Sequence, residues 1–116
     1  MTAVAGIDDL MLSSRVSTAA KAVGVTVRFA RTPEAVIEAV RQERPALVLL
    51  DLNSPRVRAL EVVAALRAEA TLADIPTVGC VSHVDTATIE AARQAGVGRV
   101  LARSAFVEQL PTLLRG

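Results

Sequence analysis

The polarity pattern along the chain switches repeatedly between two periods. TAVAGI (2–7) is a short unbroken apolar run and predicts a buried first strand. From Leu12 on, Leu12, Val16, Ala19, Ala20 and Val23 recur on one helical face, and Gly24 follows where a helix C-terminus favours glycine. VTVRF (25–29) alternates as a strand does. Thr32-Pro33-Glu34 combines an N-cap residue, a proline at the first helical position and an acid in the first turn, so a helix starts there and runs to about Gln42. ALVLL (46–50) is a fully buried strand, and Leu60, Val63 and Leu66 mark the next helix. Pro76 opens a fourth strand, TVGCV (77–81). Asp85 caps a helix that ends near Gly96, and Arg99 to Ala102 form a short fifth strand. Ser104 is the expected cap of a last helix that carries Phe106, Leu110, Leu113 and Leu114 on one side.

Five strand–helix units with short connections predict an α/β fold, a doubly wound parallel five-stranded sheet with helices on both faces. With 116 residues and no linker, low-complexity tract or repeat, the expectation is one domain, 1–116, standing alone without an output domain. In such sheets ligands bind outside the carboxyl ends of the strands, where strand order reverses. Strand one ends in Asp8-Asp9, strand three in Asp51, strand four in Val81-Ser82-His83 and strand five in Arg103-Ser104. Carboxylates and a guanidinium are therefore expected on one edge.

Composition narrows what that edge does. Hydrophobic residues make up 52% of the chain, which argues against disorder. Aromatics are 2%, with no Trp or Tyr, so base stacking on single-stranded nucleic acid is not supported. The net charge of +1 comes from interspersed charges and leaves no footprint for nucleic acid or a membrane surface. Cys80 stands alone, so there is no internal disulfide and no Cys/His zinc cluster; at mid-strand it reads as a small buried apolar group. The N-terminus lacks a signal-peptide pattern and no apolar run is long enough for a bilayer, so a cytoplasmic location is expected. A Gly-rich phosphate loop, a Cys nucleophile motif and a Ser/His/Asp set are all missing, and the chain is not expected to be an enzyme.

Crowded carboxylates repel unless a cation or protons relieve them. Asp8 or Asp9, Asp51 and the main-chain carbonyl of Asn53 make a set suited to Mg²⁺. With the ion screening it, Asp51 can attack a phosphoryl group to give an aspartyl phosphate, and Arg103 is placed to stabilise the transferred oxygens. Each residue has a plainer reading. Asp51 is otherwise a solvated loop carboxylate; one of Asp8 and Asp9 caps the first helix while the other faces the metal; Arg103 otherwise pairs with these carboxylates in the ion's place. His83 reads as a solvated loop side chain. Ser82 contacts phosphate only if a bulge turns it inward. The Ala-rich face of the fourth helix (Ala87, Ala91, Ala92, Ala95) is either a thin packing face or a place for a partner helix.

IDD (7–9), RPALVLLDLNSP (44–55), LADIP (72–76), EAARQAGVGRVLAR (90–103) and the closing helix together resemble the receiver domains of two-component response regulators. The resemblance covers nearly the whole chain. It implies a flavodoxin-like (βα)5 fold, an acceptor aspartate at Asp51, acidic metal ligands at Asp8 and Asp9, and a metal-binding carbonyl at Asn53. It also implies a histidine kinase or phosphotransfer protein as phosphoryl donor, and a target protein that meets the helix 4–strand 5–helix 5 face. The departures fall on the switch. The family's hydroxyl position is Val81, with Ser82 one place later; its lysine is Arg103 and the following proline Ser104; its aromatic is Val100; its loop glycine is Ala59. Two functions follow: a signalling module phosphorylated on Asp51 with Mg²⁺ in a phosphorelay, or a pseudo-receiver that acts only through protein interaction. A homodimer is compatible with either.

Overall fold

The computed structural model describes residues 1–82 and 85–116. Strands β1 (Thr2–Gly6), β2 (Thr26–Ala30), β3 (Leu47–Asp51), β4 (Thr77–Val81) and β5 (Arg99–Ala102) alternate with helices α1 (Leu10–Val23), α2 (Pro33–Glu43), α3 (Ala59–Ala68), α4 (Thr86–Ala95) and α5 (Arg103–Arg115). The strands form one parallel sheet in the order β2-β1-β3-β4-β5. This is the flavodoxin-like (βα)5 arrangement.

Side chains alternate between the two faces of each strand. Val4, Val48 and Leu50 pack on one face against Val36, Val40, Val62, Val63 and Leu66 from α2 and α3, with Ala92 from α4. Ala3, Ala5, Leu47, Leu49, Val78 and Cys80 pack on the other against Leu12, Val16 and Ala20 of α1 and Phe106, Leu110 and Leu114 of α5. β1, β3 and β4 are buried on both faces, which is why their sequences read as continuous apolar runs. β2 and β5 are edges, and Arg28 and Arg99 lie on them, where charge discourages pairing with another chain.

The helix termini follow the local chemistry. Thr32 accepts the Ala35 N–H at 3.2 Å and Asp85 accepts the Ala87 N–H at 3.0 Å. Gly24 and Gly96 close α1 and α4 with φ of 73° and 100°, a region side chains disfavour. Two expectations fail. Of Leu60, Val63 and Leu66, the last two are buried in α3 as expected, but Leu60 is 39% exposed and Ala59 and Val62 complete the buried face. Steps of three (60, 63, 66) drift around a helix, whereas steps mixing three and four stay on one side. Ser104 does not cap α5 among the described residues: β5 runs straight into the helix, so Ala102 occupies the cap position with no side-chain bond to offer.

At the end of the sheet where the strands begin, Arg67 of α3 bridges two loops. Its guanidinium donates to the carbonyls of Gly96 (2.9 Å), Ile75 (3.3 Å) and Ala73, and to Thr77 Oγ1 at 3.3 Å. Thr77 also accepts the Gly98 N–H at 2.8 Å. α3, β4 and the start of β5 are thereby tied together on the side of the sheet away from Asp51.

Candidate functional site

From β1 the chain first steps outward to β2 and then returns to β3 on the other flank, so strand order reverses between β1 and β3. The crevice beyond their carboxyl ends is where such a sheet binds ligands. Asp8 and Asp9 follow β1, and Asp51 is the last residue of β3. They share a cup of about 470 Å³ with Asn53, Ser54, Pro55, Ser82 and Arg103. The acids, the serine and the guanidinium named from the sequence are thus brought together.

Their roles differ. Asp9 is the cap of α1: its Oδ1 accepts the Met11 N–H at 2.8 Å and the Leu12 N–H at 3.1 Å. Its Oδ2 accepts from Arg103 Nη2 at 2.8 Å. These donors, Leu12 N–H first and then Arg103, hold its carboxyl below the usual carboxylate range. Asp8 is left to the mouth of the cup. Asp51 is only 6% exposed. Burial pushes its carboxyl above the usual range, opposed by the Asn53 N–H, which donates to Oδ1 at 3.0 Å, and by the charge of Arg103; Asp9 and Asp8 push it further up. Asp51 is therefore a buried carboxylate with two like-charged neighbours, not a solvated loop side chain.

Asn53 does more than carry a main-chain carbonyl. Its side-chain Oδ1 accepts the Ser82 N–H at 2.6 Å and binds the β3–α3 loop to the end of β4. Pairing in β4 is regular from Thr77↔Val48 to Asp51↔Cys80, and from Val78↔Arg99 to Val81↔Ala102. Ser82 therefore reaches the cup by lying just past the strand, with no bulge in the ladder. Val81 is buried, and Val100 packs partly buried against the α2–α3–α4 side. Ala59 is helical; the left-handed residue of this loop is Arg58, with φ of 49°. Cys80 is buried beside Asp51, and burial pushes its thiol up to about 12. His83 lies outside the described residues.

Two further residues reach Asp8 from outside the cup. Arg31 Nε lies 3.8 Å from Asp8 Oδ1, and Arg56 Nη1 lies 3.4 Å from the same atom. Arg31 follows directly on β2, an edge strand that ends in no acid. Arg56 is a loop residue with no periodic signal at all.

A hard divalent cation takes one or two carboxylates, a carbonyl and several waters. With Asp9 engaged by the helix cap and Arg103, Asp8, Asp51 and the Asn53 carbonyl remain, and that donor set fits such an ion. Among the described residues, no three acidic, His or Cys side chains cluster into a ready-made cage. A site here would lean on water for most of its coordination.

Over residues 7–115 the chain matches the model of the response regulator receiver domain. It belongs to that family, whose members are the receiving modules of two-component signalling. No curated protein matches it. The phosphorylated cyanobacterial phytochrome response regulator RcpA is 26% identical with a TM-score of 0.82, over 99% of this chain and 89% of that one. The chemotaxis response regulator CheY4 of Vibrio cholerae is 18% identical with a TM-score of 0.85, over 98% of this chain and 95% of that one. The Mn²⁺-bound form of response regulator Rcp1 is 21% identical with a TM-score of 0.80, over 96% of this chain and 89% of that one. No helix among the described residues is long and apolar enough to cross a membrane.

Proposed function

We propose that Asp51 is the phosphoryl acceptor of this domain, working with Mg²⁺ in a phosphorelay. The observation that carries the reading is the placement of Asp51, buried at the end of β3, in one cup with Asp8, Asp9 and Arg103. That RcpA has been seen phosphorylated and Rcp1 with Mn²⁺ bound supports it. The donor is a phosphohistidine on a kinase or phosphotransfer protein. An Asp51 oxygen attacks phosphorus, the O–P bond forms and the P–N bond breaks. The electron pair leaves with the imidazole nitrogen, which takes up a proton. Asp8, Asp51 and the Asn53 carbonyl would hold the cation, whose charge offsets that gathering on the phosphoryl oxygens. Arg103 supplies a second, fixed positive charge within the same cup. Output passes through the α4–β5–α5 face to a target protein.

The test is incubation with Mg²⁺ and acetyl phosphate, followed by intact mass, and with beryllofluoride, followed by NMR. One added phosphoryl group on the wild type and none on Asp51→Asn is expected. No mass change, no spectral change and undiminished partner binding by Asp51→Asn would instead establish a pure interaction module.

A further inference from the structure

Three guanidinium groups stand against the three acids of the cup. Arg103 lines it with Asp8, Asp9 and Asp51, and Arg31 and Arg56 reach Asp8 from outside it. Arg103 is spoken for by Asp9. Arg31, from the loop after β2, and Arg56, from the loop after β3, converge on the same Asp8 oxygen from two sides, at 3.8 and 3.4 Å. Asp8 is also the carboxylate that Asp9's capping role leaves free for a metal ion.

We infer that Arg31 and Arg56 are a charge clamp on Asp8 that sets the divalent-cation affinity of the cup, each cation entering in competition with the two guanidinium groups. The inference rests on the cation site proposed above and deepens it. Two effects act in the same direction. An Asp8 oxygen held by a guanidinium has fewer lone pairs to give to a metal. A guanidinium that stays nearby also repels a dication twice as strongly as a monovalent ion. Arg31 and Arg56 are 54% and 59% exposed, so water and salt screen both effects. The consequence is a tuned affinity, not an abolished one. Arg31 and Arg56 are positioning residues: they act on the site through Asp8.

Arg58 supplies the control. It lies two residues from Arg56, is equally charged and exposed, and pairs with Glu61 at 3.8 Å rather than with the cup. Mn²⁺ titrations at fixed ionic strength, reading free Mn²⁺ by electron paramagnetic resonance, compare wild type, Arg56→Gln, Arg31→Gln and Arg58→Gln. Circular dichroism confirms that each is folded. Arg56→Gln and Arg31→Gln are each expected to lower the dissociation constant about threefold to tenfold, and Arg58→Gln to leave it within about twofold, the range of a screened unit charge a few ångströms away. Equal tightening by Arg56→Gln and Arg58→Gln would reduce the effect to net charge and overturn the clamp, as would no change in any variant. If Mn²⁺ binding is lost in Asp51→Asn but indifferent to Arg31 and Arg56, the cation site stands and the clamp falls. If neither the wild type nor any variant binds Mn²⁺, both fall.

Discussion

Asn53 stands between Asp51 and Ser82: its N–H donates to the Asp51 carboxylate at 3.0 Å and its side-chain oxygen accepts the Ser82 N–H at 2.6 Å. Two hydrogen bonds thus link the end of β3 to the end of β4 without a side-chain hydroxyl at Val81. Asn53→Ala removes the second bond. It is expected to cost about 1 kcal/mol in urea unfolding, the usual worth of such a bond. Asp51 keeps its place, and beryllofluoride is expected to shift fewer α4 resonances than in the wild type.

The two cup acids titrate in opposite directions. Burial raises the Asp51 pKa, so the fold favours its protonated form. That stabilisation is full below the ordinary carboxylate range and is lost as pH rises through the raised value. Asp51→Asn, permanently neutral, is expected to melt higher than wild type at neutral pH, with the gap closing below about pH 4. The Asp9 pKa is lowered, so its stabilisation is present above the ordinary range and lost as pH falls through the lowered value. Asp9→Ala is expected to cost about 1 kcal/mol at neutral pH through the lost cap. Thermal melts across pH check both signs.

Arg103 lines the cup and is the most buried of the three arginines paired with its acids, 33% exposed at its side chain against 54% for Arg31 and 59% for Arg56. Arg103→Gln is expected to slow acyl-phosphate formation about a hundredfold, the lower end of the range for losing one fixed donor to a developing charge. Arg103→Lys keeps the charge and is expected to recover most of the rate. Single-turnover phosphorylation with acetyl phosphate measures both.

Arg67 separates stability from site chemistry. Its guanidinium satisfies the carbonyls of Gly96, Ile75 and Ala73 at the end of the sheet away from the cup. Arg67→Met leaves them without that donor and is expected to cost about 2–3 kcal/mol in chemical denaturation. The phosphorylation rate of the folded fraction is expected to stay unchanged.

Most of the fold is written in local patterns, and those are readable. Thr77–Val81 and Arg99–Ala102 were recovered at their boundaries because a proline opens one and a glycine-ended helix precedes the other. Asp8, Asp9, Asp51 and Arg103 are expected in one cup because every parallel strand delivers its last residues to the same edge; Ser82 joins them from just past β4 without the bulge that reading required. What escaped is carried by long side chains reaching across the chain. Arg56 meets Asp8 over 48 positions and Arg67 meets Gly96 over 29. Their reach depends on tertiary distance, which no periodicity encodes. Ser104 fails for a related reason: its capping chemistry is sound, but the absence of any residue between β5 and α5 gives the cap position to Ala102.

Cys80, seated opposite Asp51 in the sheet with its thiol driven up to about 12, doubles as a built-in reporter. At neutral pH it offers an alkylating reagent neither access nor thiolate. Labelling therefore counts excursions in which this face of β4 has lost the cover of α1 and α5. The rate at which this single sulfur is consumed becomes a clock for opening at the very strand that flanks the acceptor, with no dye or tag attached.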